Sequence, residues 1–175
     1  MLRWFRSDQR GVAAVEFALI APAMILLYCG MAELTLTLMA GRRASHAVSV
    51  VGDLVAQSST INGTQMTDIF KVADAVVAPF PTTGLKMRVS SVTANAGGVP
   101  QVVWSQGKGM TALGVGTTAA AVPANLMLAG DNVVVAEMSY AYTPPLGYFM
   151  KTGHTFTKTF LLRPRRAPQV AWTAG

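Results

Sequence analysis

The 175-residue chain has room for one modest domain with an appended segment, and its 51% hydrophobic residues against 13% charged exclude general disorder. Fourteen Lys and Arg against eight Asp and Glu give a formal net charge of +6, but no long basic run is interleaved with aromatic residues, so nucleic acid is not an expected partner. The single cysteine, Cys29, excludes an intramolecular disulfide framework and a zinc site built on cysteine pairs.

The chain opens MLRWFRSDQR, with Arg3, Arg6 and Arg10 against Asp8. From Val12 to Ala32 it then reads VAAVEFALIAPAMILLYCGMA, with Glu16 its only charge. At about 1.5 Å per residue this run crosses a hydrocarbon core of roughly 30 Å, which predicts a transmembrane helix. The positive-inside rule places the basic N-terminal end in the cytoplasm, although Arg42 and Arg43 beyond the span narrow the difference. A cleaved secretory signal fits less well, because the apolar run is long and its small residues Ala21 and Ala23 come in the middle of it. Tyr28 stands where a lipoprotein signal needs a small residue, so Cys29 reads as a small apolar side chain facing lipid or a partner helix.

Glu16 carries the information in this span. An ionisable residue near the start of a lipid-crossing helix is costly and normally has a partner or a role. If the chain is cut after Gly11, Val12 becomes the first residue, and the new α-amino group supplies a cation for the Glu16 carboxylate of a neighbouring copy. Glycine suits a peptidase site at the membrane boundary, since it places no side chain against the enzyme. In the other reading Glu16 snorkels to the cytoplasmic interface of an uncut anchor. The physical chemistry of the span leaves both open.

The short basic leader, Gly11, and VAAVEFALIAPAMILLYCGMAEL with Glu16, Phe17, Pro22, Gly30 and Glu33 together resemble the TadE/TadG-like minor pilins, or pseudopilins, of the tight adherence (Flp-type) pilus system. The resemblance covers about residues 10 to 52, including Ala40, Gly41, Arg42, Arg43 and Ala44; beyond this only the layout is similar. It implies a prepilin-type leader, residues 1–11, removed by a membrane prepilin peptidase between Gly11 and Val12. It also implies that Glu16 is the pilin-type glutamate, and that Glu16, Phe17 and Pro22 serve assembly. Major pilins of the system are much shorter and typically have tyrosine after the glutamate, so Phe17 and the long C-terminal part point to the minor class. Pro22 removes a helix hydrogen bond inside the span, which membrane helices tolerate when neighbours compensate. Ala14, Ala18 and Ala21 permit close helix approach, a pattern common in apolar helices.

Past Glu33, Ala44, Val48, Val51 and Val55 fall on one helical face and Arg42, His46, Ser49 and Asp53 on another, predicting an amphipathic stalk, residues 33–60, that continues the rod to about Ser58. Asn62 and Gly63 signal a turn. A second helix follows with an apolar stripe of Met66, Ile69, Phe70, Ala73, Val76 and Val77, stopped by Pro79 and Pro81. From Leu85 the period is two: LKMRVSSV and VPQVVWSQ, separated by Gly97 and Gly98, predict a hairpin. Residues 107 to 130, rich in Gly, Ala and Thr, read as loop with a short helical turn near Pro123 to Leu128. NVVVAEMSYAY, Asn132 to Tyr142, is the strongest strand, and a last one runs near Thr155 to Arg163. Helices followed by strands predict an α+β fold: a long N-terminal transmembrane and amphipathic helix with a small antiparallel-sheet head spanning residues 61–175.

Catalytic chemistry is not expected. His46 and His154 belong to no HExxH pair, GKGMTALGVG lacks the order of a phosphate-binding loop, no serine sits in GxSxG, and the acidic residues include no close glycosidase-type pair. No metal ligands, cofactor site or catalytic residues are assigned. The loop PPLGYFMK brings Leu146, Tyr148 and Phe149 together as a candidate partner contact, or else folds back over one end of the sheet. Arg163, Arg165 and Arg166 read as a solvated tail, and the triplet Asn62 to Thr64 as a chance glycosylation match.

The expectation is therefore a structural membrane protein, a minor pilin that takes part in assembling an adhesive type IV pilus. Its partners would be the inner membrane, the prepilin peptidase, other pilins, and assembly machinery driven by a cytoplasmic ATPase. Its head would be periplasmic, with incorporation into an extracellular pilus. The alternative is an uncleaved single-pass protein whose periplasmic head binds a ligand or envelope partner.

Overall fold

In the computed structural model, residues 11–123 and 126–174 are described. The basic stretch with Arg3, Arg6 and Arg10, and part of the turn expected near Pro123 to Leu128, lie outside the described residues.

Helix α1 runs Val12–Ala56 without interruption through Pro22, roughly 70 Å at about 1.5 Å per residue. Its two halves have different surroundings. None of its most apolar window is buried within the chain. The C-terminal half buries Ala44, Val48, Val51 and Val55, the stripe its spacing predicts. The helix stops at Ala56, short of Ser58, because the Ser58 N–H turns back to the Val55 carbonyl at 3.0 Å and the chain enters a strand. That strand, β1 (Thr60–Ile61), pairs in parallel with β6 (Ala171–Trp172). Neither two-residue strand is legible in the sequence, since each is defined only by the other.

Helix α2 (Gly63–Val77) starts at a reciprocal capping box. The Asn62 side chain accepts from the Gln65 N–H at 2.9 Å, and the Gln65 side chain accepts from the Asn62 N–H at 3.1 Å. Met66, Phe70, Ala73 and Val77 are buried, and α2 packs on α1.

Strands β2 (Leu85–Ala94), β3 (Pro100–Lys108), β4 (Asn132–Tyr142) and β5 (His154–Leu162) form one antiparallel sheet in the order β3-β2-β4-β5. The chain is thus α+β, as the order of helical and strand patterns predicts. Helix α1 lies across β4, β5 and β2. The face it covers presents Leu85, Met87, Val89, Val134, Ala136, Met138 and Tyr140. Tyr140 is fully buried and donates its hydroxyl to the Pro81 carbonyl at 2.9 Å; burial and the neighbouring Tyr142 push its pKa up to about 12.

A bulge between Ser91 and Val92 decides how β3 is used. Ser91 pairs with Trp104 and Val92 with Val102, so Val103 is the extra residue. Two residues of equal parity thereby face opposite ways. Trp104 joins the core under α1, and Val102 joins a second core with Val92, Val133 and Val135. The segment expected as open loop covers that second core with Ala119, Val122 and Met127. It also guards the β3 edge, since the Val102 N–H bonds the Thr117 carbonyl and the Gly116 N–H bonds the Val102 carbonyl. Ser90, a polar residue in the alternation from Leu85, is also buried and bonded to Ser105 at 2.9 Å. Glycine and threonine give this cover no periodicity, which is why its burial escapes a pattern reading.

Arg163, Arg165 and Arg166 are exposed to solvent, as expected, but the segment is tied to the fold and is not a loose tail. Arg165 donates its backbone N–H to the Ala56 carbonyl at 2.8 Å and pairs with Asp53 at 2.8 Å, closing the end of α1. Helix C-termini leave carbonyls unpaired and carry partial negative charge, so a cation there is favourable.

Candidate functional site

The free rod begins at Gly11, the N-cap of α1, with no side chain to cap it and open space where a Cβ would stand. Val12 is the first helical residue, and Glu16 follows just over one turn later. Glu16 is exposed, among exposed apolar side chains that include Val12, Val15, Phe17 and Leu19. Among the described residues Glu16 makes no ion pair. Phe17 is 72% exposed, and Pro22 lies within the helix without ending it. The most apolar stretch of this half has mean hydropathy 2.1, and none of it is buried among the described residues. A surface of that length and polarity is stable in a bilayer or in a bundle of similar helices, and not in water.

Leu146, Tyr148 and Phe149 form a separate group. Their loop, between β4 and β5, comes down beside α1. The contact level is Gly30 to Thr37, some 20 Å along the rod from Glu16 at about 1.5 Å per residue.

Glu33 holds the loop in place. Its side chain is fully buried, and its two carboxylate oxygens accept the backbone N–H groups of Tyr148 at 2.6 Å, Phe149 at 3.0 Å and Met150 at 3.1 Å. Burial alone raises the pKa of this carboxyl, but the three backbone donors outweigh it and hold the value below the ordinary one. One turn on, Thr37 donates to the Glu33 carbonyl at 2.8 Å and lies 3.6 Å from the Met150 sulfur. One turn back, the Phe149 ring covers Gly30, where a Cβ would stand 3.3 Å from it. Further up the same face, a Cβ on Gly41 would stand 2.7 Å from the Phe156 ring.

Sequence reasoning placed Glu33 in the family pattern without giving it a task. The signal is the spacing Gly30, Glu33, Thr37, Gly41, a row of small and polar residues on one helical face that continues into the buried stripe. A carboxylate on the head-facing side of an apolar rod implies donors brought to it by the fold.

Glu33→Gln is expected to loosen the loop, because an amide has one acceptor oxygen and turns an N–H₂ group toward backbone donors. Hydrogen exchange at Tyr148, Phe149 and Met150 should quicken while α2 is unchanged; unaltered protection there would mean that Phe149 on Gly30 alone holds the loop. The pH dependence has a definite sign. Since the folded value is lowered, the contribution of Glu33 is complete above the unfolded value near 4.5 and is lost as pH falls through the folded value.

The arrangement fixes one loop to one helix and presents apolar surface, and it brings no reactive groups together. Residues 11–52 match the sequence model of a family described as TadE-like protein. No curated protein and no solved structure matches the chain significantly. The match starts at Gly11, takes in Glu16, Phe17, Pro22, Gly30 and Glu33, and ends at Gly52 where α1 is packed on the sheet. The likeness to the TadE-like family is thus confined to the segment 11–52, which holds the exposed apolar run and the first part of the packed half of α1.

Proposed function

We propose that the protein is a minor pilin, or pseudopilin, that takes part in assembling the tight adherence pilus. The observation that carries this reading is the TadE-like match over residues 11–52, which begins on the rod left bare by the rest of the chain. The role is structural. In this reading a prepilin peptidase of the inner membrane cuts between Gly11 and Val12, and the head stands in the periplasm. Burial of the rod among like helices then drives association, with Glu16 meeting the α-amino group of a neighbouring copy. A carboxylate inside a lipid-crossing run normally has a partner, and in this reading assembly supplies it.

Mass measurement of the N-terminus tests the reading. In cells holding the peptidase, the mature chain should start at Val12, and Gly11→Leu should leave the leader attached. An intact leader on the wild-type protein, with none of it in purified filaments, would favour an uncut anchor whose head binds a ligand or envelope partner. Glu16→Ala is expected to lower recruitment into pili while the head stays folded, and wild-type incorporation would remove Glu16 from the mechanism.

A further inference from the structure

We propose that the loop between β4 and β5 is a second membrane contact: Leu146, Tyr148 and Phe149 seat in the lipid interface on the head's side of the bilayer, beside the transmembrane helix. Three observations carry this. The first is depth. Phe149 lies against Gly30, which belongs to the apolar run Val12 to Ala32, so a helix that crosses the bilayer brings this ring to the edge of the hydrocarbon. The second is surface. Leu146, Tyr148 and Phe149 are 47%, 66% and 59% exposed, and Tyr28, Met31 and Leu34 are exposed on the helix at the same level. An aromatic ring with one apolar and one polar end, as in Tyr148, favours this zone, and exposed Lys151 nearby in the chain suits phospholipid phosphate.

The third observation is the treatment of the backbone. A loop near lipid has no water to satisfy its N–H groups, and irregular backbone is tolerated there only when the protein pairs it. The N–H groups of Tyr148, Phe149 and Met150 are the ones that Glu33 accepts. Glu33 thus does two tasks: it pairs the donors of a loop at the interface, and the loop in turn shields its charge from lipid. The head is held against the bilayer at two points and cannot swivel freely about the helix.

The inference rests on the helix crossing the membrane and not on leader cleavage. The test uses the full chain with Cys29→Ser, reconstituted in vesicles of phosphatidylethanolamine and phosphatidylglycerol. Nitroxide labels go on single cysteines made by Phe149→Cys and Tyr148→Cys, the latter leaving the ring on Gly30 intact. Reference labels come from Ile20→Cys in the apolar run and Val115→Cys, an exposed site on the head. Collision with oxygen is compared with collision with a water-soluble nickel chelate. Labels at 148 and 149 should shift toward the oxygen preference of the Ile20 label. A chelate preference like that of the Val115 label would place the loop in water and overturn the proposal, as would exclusion of both reagents, which marks cover by a second protein copy. If the Ile20 label itself prefers the chelate, the membrane reading fails and the inference falls with it, a result distinct from failure of the loop alone.

Discussion

Trp104→Ala is expected to destabilise the head by about 4 kcal/mol, the usual scale for emptying a buried aromatic site. The side chain is 4% exposed in the core under α1. Its indole N–H donates to the Val170 carbonyl at 2.7 Å, and its ring lies 5.5 Å from that of Trp172. Truncation leaves a cavity and an orphaned buried carbonyl together. The damage should spread, since Val170 leads into β6, whose neighbouring Thr173 N–H bonds the Ile61 carbonyl. Thermal unfolding of the full chain in detergent should show a midpoint lower by about 12 °C, at roughly 2–4 °C per kcal/mol for a chain of this size. Trp104→Phe keeps most of the ring and loses the donor, so it should cost about 1–2 kcal/mol. A midpoint for the alanine variant within a few degrees of wild type would mean that the C-terminal return is not anchored through this residue.

Gly52→Leu is expected to cost about 3 kcal/mol, through overpacking. At Gly52 α1 lies close against the sheet: a Cβ there would stand 2.7 Å from Leu162 and 3.1 Å from the Ala136 Cβ. Ala136 is on β4, with its backbone paired on both sides, and cannot yield. Gly52→Ala is different. Better helix propensity, about 1 kcal/mol, offsets a contact that the flexible end of Leu162 can relieve, so the net change should be near zero. Denaturant midpoints of the two variants in detergent check the contrast. A leucine variant as stable as the alanine one would show that the helix can lift off the sheet without penalty.

The two substitutions mark where sequence reasoning reached its limit. The stripe Ala44, Val48, Val51 and Val55 is legible because helical periodicity alone places those residues on one face, and all four are buried. Gly52 is not legible as a contact, because nothing local says how near another element comes. Trp104 shows the same limit in a strand. A pure alternation from Val102 would put residues 102 and 104 on one face, and only the bulge opposite Ser91 and Val92 separates them. The cover over the second core has no period to read, and Ser90 is a polar residue buried where it bonds Ser105 on the neighbouring strand.

The site divides in the same way. The bare rod with Gly11, Val12, Glu16, Phe17 and Pro22 is a matter of composition and spacing, since a run of apolar side chains long enough to cross a bilayer requires no tertiary partner to be recognised. Leu146, Tyr148 and Phe149 are legible as an apolar loop, and their position beside Gly30 is not. The sequence by itself determined an apolar rod long enough to cross a bilayer, the amphipathic half that follows it, the four long strands by their alternation, and the α+β class, because each of these is written in local periodicity. Tertiary structure alone decided that Glu33 takes three backbone donors from a loop more than a hundred residues away, that the loop lies against the rod at Gly30, and that the C-terminal return closes α1 through Arg165 and is anchored by Trp104. The physical reason is that a buried carboxylate, a glycine contact and a two-residue strand are each half of a pair, and neither half has a pattern of its own until the fold brings the other to it.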